Sequence, residues 1–132
     1  MRDTGGSRGL GLQIAEALGE MGARLVLSAR KAGELEAART QLHSQGIHAD
    51  IVVCDCQHEA DITRLASGAL QALGHIDILV NNAGTTWGAA AEDYPVEAWD
   101  KVMNLNVRSI FLLSKEVGRR SMIPRRQGRI IN

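Results

Sequence analysis

Aromatic residues are scarce in this chain of 132, with two Trp, one Tyr and one Phe, all between Trp87 and Phe111. The residues before Trp87 must therefore build a core from Val, Leu, Ile, Ala and Met, the small-residue packing of helices laid closely on a sheet. Net charge is also lacking: 15 Lys and Arg balance 15 Asp and Glu, leaving nothing to hold a nucleic-acid backbone or an anionic membrane. The local basic cluster Arg119, Arg120, Arg125, Arg126 and Arg129 falls at a helix C-terminus, where the dipole favours cations, and has no interleaved aromatics. No nucleic-acid partner is expected. No apolar run approaches the roughly 20 residues of a membrane helix, and Met1 to Gly6 carries no apolar core of a secretory signal. A soluble, cytoplasmic protein is expected. The two cysteines, Cys54 and Cys56, stand one residue apart in a predicted strand, so their side chains should point to opposite faces and not meet in a disulfide. A reducing compartment fits that reading. His43, His48, His58 and His75 show none of the paired spacings of metal ligands, and no metal is expected.

Glycine, by contrast, is plentiful, and it punctuates a repeating pattern. Residues 10–21 carry Ile14, Ala17, Leu18 and Met21 at helical spacing and close on Gly22. A short apolar run at 24–29 reads as a strand, and Leu35, Ala38 and Leu42 before Gly46 as a second helix. The cycle repeats with a strand at 49–54 and a helix through Ile62, Leu65, Ala66, Ala69 and Leu73, closed by Gly74. A further strand is predicted at 76–81. A long helix follows over 96–121, with Trp99, Val102, Met103, Asn106, Ile110, Leu113 and Val117 on one face. Pro124 and the turn Arg125-Arg126-Gln127-Gly128 end it, and residues 129–132 begin another strand. Strands alternating with helices specify an α/β fold, a doubly wound parallel sheet with helices on both faces. The length fits a single dinucleotide-binding domain over 1–132. The glycine-rich loop at Thr4 needs a strand before it, and Met1-Arg2-Asp3 is too short and too polar to be one. The domain is therefore expected to be partial, truncated at both ends.

Thr4-Gly5-Gly6-Ser7-Arg8-Gly9-Leu10-Gly11 opens the first helix. Glycines there let the backbone turn sharply and approach a pyrophosphate, whose charge the helix N-terminus favours. The context, a glycine loop before a helix in a βα repeat, is the one a dinucleotide fingerprint requires. The loop matches the TGxxxGxG pattern of the short-chain dehydrogenase/reductase family, and Asn81-Asn82-Ala83-Gly84 matches that family's NNAG motif. With Asp55, Asn106 and Gly128-Arg129-Ile130-Ile131-Asn132 also in place, the chain resembles the N-terminal half of that family's subunit, nearest the 3-oxoacyl-carrier-protein reductase and gluconate 5-dehydrogenase branches.

The resemblance implies an oxidoreductase that moves hydride between a nicotinamide cofactor and a carbonyl or alcohol substrate, working as a homo-oligomer, a dimer or tetramer. It implies that Gly5, Ser7, Arg8, Gly9, Leu10 and Gly11 wrap the pyrophosphate and adenosine ribose. Asp55 would accept from the adenine amino group, Cys56 would donate its backbone N–H to the same ring, and Asn82, Ala83 and Gly84 would lie along the ribose. At the end of the second family strand, where an acid would select NAD, the chain reads Ala29-Arg30-Lys31, with Glu34 and Glu36 displaced into the next helix. Arg30 therefore favours the 2′-phosphate of NADP, with NAD the lesser choice. Asn106 matches the family's catalytic asparagine, which holds a water in a proton relay. The family's catalytic tyrosine and lysine are absent: the one tyrosine, Tyr94, has Ala98 four residues on. The 132 residues by themselves are expected to be inactive. A non-catalytic nucleotide-binding module is the alternative, and would lack the serine and Tyr-x-x-x-Lys in its continuation.

Overall fold

The computed structural model describes residues 6–132, so Gly5 of the predicted loop lies outside the described residues. The elements follow in the order α1 (Gly9–Glu20), β1 (Leu25–Ala29), α2 (Ala32–Ser44), β2 (Ala49–Val53), α3 (Glu59–Leu73) and β3 (Ile78–Val80). A helical run of α4 (Val96–Met103), α5 (Ser109–Val117) and α6 (Ile123–Arg125) then leads to β4 (Arg129–Ile131). β1 pairs with β2 in parallel, Leu25 opposite Ala49 and Ala29 opposite Val53, and β3 pairs with β4 in parallel, Ile78 opposite Arg129. Among the described residues these are two separate pairs.

Alternation along β1 divides the interior. Leu25 and Leu27 point into a cluster with Ala15 of α1 and Leu35, Ala38 and Leu42 of α2, whereas Val26 packs against Ala66 and Ala69 of α3 and Val117 of α5. Strand side chains alternate between faces, so one strand serves two helix layers. This is the doubly wound α/β arrangement expected from the sequence. Leu35 and Leu42 have no exposed surface, which places the predicted apolar stripe of α2 on the core.

Two helical faces differ from the expectation. On α1, Ala17 and Met21 are exposed, Met21 at 86 %, and Gly11 and Ala15 face the core beside the expected Leu18. Small residues make that face: Gly19 sits so close to Ile47 that an added Cβ would overlap it. The long helix departs from the expectation in its first half, where Trp99 and Met103 are exposed and Ala98 and Leu105 are buried instead; farther on, Val117 is buried and Leu113 packs on the core as expected, with Leu112 buried beside them. Its run is broken by two π turns, Asn104–Arg108 and Gly118–Met122. Each holds one residue more than the α-helical spacing allows and so rotates the buried face. Pro124 falls inside the last turn, and Arg126 ends it in the left-handed conformation at φ 54°. β3 is shorter than the predicted 76–81, because Ile76 is buried below the strand and its backbone binds Ser121.

Candidate functional site

A cavity of about 510 Å³ runs the length of β1 and β3, from residues 22–25 and 75–77 at one end to residues 6–8, 29–31, 54–56 and 80–83 at the other. Open α/β folds place ligand sites at that second end, outside the carboxyl ends of the strands. Of the predicted residues, Ser7, Arg8, Gly11, Arg30, Asp55, Cys56, Asn82 and Ala83 line it; Gly9, Leu10, Gly84 and Asn106 are not part of the wall.

Gly9 turns the chain into α1 at φ 57°, a conformation that a side chain would strain. The N-cap, Arg8, makes no side-chain cap hydrogen bond, and the first turn of α1 contains no acid. α2, α3 and α4 each carry an acid in that turn: Glu34, Glu59 with Asp61, and Glu97. Among the described helices that start from a loop, α1 therefore keeps its positive end without a carboxylate of its own. Such an end, beside a cavity, fits an anionic phosphate group.

The basic side of the cavity has a carboxylate at its centre. Glu34 Oε1 lies 3.0 Å from Lys31 Nζ and 3.5 Å from Arg8, and its Oε2 accepts from the buried Ser7 hydroxyl at 3.4 Å. Lys31 first, then the Arg8 charge and the Ser7 hydroxyl, hold the Glu34 carboxyl below the usual carboxylate range. The sequence placed Glu34 in the helix but not in this contact. Its partners in the loop lie 26 and 27 residues away, and only the fold joins them.

After β2 the chain turns through residues 54–58. The Asp55 N–H donates to Asp61 Oδ2 at 2.9 Å, and Asp55 Oδ1 accepts from the Gln57 N–H at 3.0 Å. Asp61, held by that N–H and by Arg64 at 2.7 Å, ionises below the usual range. The turn overturns one expectation. Cys54 and Cys56 do not point to opposite faces: alternation puts residues two apart on the same face, and in the turn after Val53 their sulfurs come within 3.8 Å.

Asn106 sits in the first π turn, outside the cavity wall. Its Oδ1 accepts from the Thr85 N–H at 2.9 Å and its Nδ2 donates to the Thr85 carbonyl at 2.8 Å. The side-chain amide thus fastens the loop that follows β3, and the adjoining Asn82 and Ala83 of that loop form one side of the cavity. Asn81, not singled out from the sequence as a site residue, fixes the same loop from its start, donating to Ser114 Oγ at 3.2 Å and to Asn132 Oδ1 at 2.8 Å. Among the described residues no group of three or more His, Cys, Asp or Glu could hold a metal ion, and no helix is long and apolar enough to cross a membrane.

A doubly wound parallel sheet, a glycine turn before an acid-free helix start and a cavity at the strand ends together define a nucleotide-binding fold of the Rossmann type. The short chain dehydrogenase family matches residues 3–132, and the chain belongs to that family. It is 44% identical, over 98% of its length and 51% of the relative's, to the rhamnolipids biosynthesis 3-oxoacyl-[acyl-carrier-protein] reductase of Pseudomonas aeruginosa. It is 36% identical to the gluconate 5-dehydrogenase of Gluconobacter oxydans, over 98% of this chain and 50% of that one. Among solved structures, a metagenomic short-chain oxidoreductase in complex with NADP superposes with a TM-score of 0.91 at 38% identity, over 98% of this chain and 58% of the other. The actinorhodin polyketide ketoreductase with NADPH gives 0.93 at 34% identity, over 97% and 49%. The chain spans about half the length of the curated relatives it matches.

Proposed function

We propose that this chain supplies the cofactor-binding half of an NADP-dependent oxidoreductase acting on a carbonyl or alcohol carbon. The observation that carries the reading is the acid-free start of α1, which opens on a cavity that Arg8, Arg30 and Lys31 also line. Relatives of similar fold were solved with NADP, which supports the same reading. When bound, NADP supplies or takes up the hydride. The residues here would hold it: the turn at Gly6 to Gly11 against the pyrophosphate, Arg30 against the 2′-phosphate, Asp55 and the Cys56 N–H against adenine, and Asn82 to Gly84 along the ribose. Asn106 gives one hydrogen bond from each amide atom to Thr85 and keeps a second lone pair and a second N–H for the water of a proton relay. It also acts as a positioning residue for the loop.

Tyr94 stands edge-on to Trp99, ring centroids 6.5 Å apart, and has no lysine four residues on. The tyrosine-lysine pair that moves the proton in this family is not among these 132 residues, which by themselves should turn over no ketone. The protein is proposed to work as a homo-oligomer on a small-molecule substrate. Titrating NADPH and NADH tests the cofactor assignment: NADPH should bind tighter by about one to two decades, the worth of a charged hydrogen bond of roughly 1.5–3 kcal/mol. Arg30→Asp should abolish that preference, and equal or tighter NADH binding by the parent would refute it.

A further inference from the structure

Among the described residues, the sulfur pair is a reactive cluster that the cofactor reading leaves without a task. Cys54 is buried at 1% exposure and anchored, its N–H donating to the Ala29 carbonyl at 3.0 Å. Cys56 is half-buried in the turn that Asp55 and Asp61 fasten, and both residues lie on the cavity wall. The contact sorts the two thiols. A hydrogen bond from Cys54 to Cys56 draws Cys56 below the usual thiol range, against burial and the Asp55 and Asp61 charges. The same bond, with burial second, pushes Cys54 up. The nucleophilic sulfur is therefore the more accessible one, and its neighbour is in place to resolve it.

We propose that Cys54 and Cys56 close into a reversible internal disulfide, using a small-molecule disulfide of the glutathione type as oxidant, and that closure shuts the adenine end of the cofactor cavity. The second half rests on the dinucleotide reading above. In the first step the Cys56 thiolate attacks one sulfur of the external disulfide, whose S–S bond breaks and releases one thiolate. In the second, Cys54 attacks the Cys56 sulfur of the mixed disulfide, expels the second small thiol and gives up its proton to it. Two protein thiols are oxidised and one external disulfide is reduced to two thiols. The sulfurs must approach from 3.8 Å to about 2.05 Å. Cys54 is held to β1, so the turn at Asp55 and Cys56 does the moving, and with it the groups assigned to adenine. A ring closed across a single intervening residue is strained, which makes such a bond readily reducible. Coupling runs both ways, so bound cofactor should retard closure.

The test incubates the reduced protein with oxidised glutathione, with and without NADP⁺, and reads the tryptic peptide 40–64, which holds both cysteines. The expected product has lost two hydrogens and carries no glutathione, and it forms more slowly with NADP⁺ present. NADP⁺ affinity should then fall at least about tenfold and return on treatment with dithiothreitol. Cys54→Ser should stop at a stable glutathione adduct on Cys56, and Cys56→Ser should take up none and show no response of its NADP⁺ affinity to the oxidant. A lasting adduct on the parent protein, no reaction at all, or closure with unchanged NADP⁺ affinity would each overturn the proposal. If the reduced protein bound no dinucleotide, the cofactor reading would fall and take the gating half with it, while the peptide mass would still decide the sulfur chemistry.

Discussion

At the residue scale the cofactor pocket is organised around a charge of the wrong sign for a phosphate. Glu34 occupies Lys31, Arg8 and Ser7, groups that a 2′-phosphate would also seek. Glu34→Gln keeps the shape, removes the anion and leaves those donors to the ligand. It should tighten NADPH by roughly 3- to 10-fold, about 0.7–1.4 kcal/mol, and NADH by less. A calorimetric titration of both cofactors checks this, and a parallel gain for NADH would show that Glu34 acts on the fold and not on the phosphate. Arg30 was legible from its distance after the glycine turn, since strand and loop lengths in a βα unit fix where that residue falls. Glu34's contact was not, because Ser7 and Arg8 meet it only through tertiary packing.

At the scale of elements, β1, β2 and the stripe of α2 were legible because each shows its own period against polar surroundings. α1 was misjudged by its face. Its core contact runs through Gly11 and Ala15, which score little on any apolar scale yet are the residues that permit close approach. The long helix was misjudged for a second reason: a π turn changes the period in mid-element, and no 3.6-residue template can follow it. The expected stripe nevertheless found Asn106. Its two hydrogen bonds to the largely buried Thr85 backbone give Asn106→Ala an expected cost of about 2–3 kcal/mol, by leaving both peptide groups unmatched. Denaturant unfolding measures that cost. Asn106→Asp keeps the acceptor for the Thr85 N–H and should lose only about half as much. Equal losses in the two variants would show that the carbonyl contact, and not the pair, holds the loop.

For the whole molecule, the exposed side of the long helix has a use. Val96, Trp99, Met103, Val107 and Phe111 follow one another at helical spacing and are 36% to 69% exposed. A continuous apolar stripe of this kind is unusual on a solitary surface and supports the proposed self-association. Phe111→Glu should therefore shift the protein to a smaller species in sedimentation velocity without changing its far-ultraviolet circular dichroism. Unchanged sedimentation would place the subunit contact elsewhere.

Side chains fasten this helical run to β3 at both ends of the strand. Asn106 grips Thr85 beyond one end of the strand, and Ser121 grips Ile76 before the other, accepting from its N–H at 2.8 Å and donating to its carbonyl at 3.2 Å. The helix is thereby a ruler laid antiparallel to the strand, with marks that must stay fifteen residues apart. Exposed side chains between the marks can change, but the number of residues cannot. One residue inserted within α5 would swing Ser121 about 100° around the axis and pull it off Ile76, lowering the melting temperature sharply. The same insertion among the exposed residues 86–90 should scarcely register. Variation in this stretch should be free at its exposed positions and closed to insertion and deletion throughout, a constraint on length that no single residue displays.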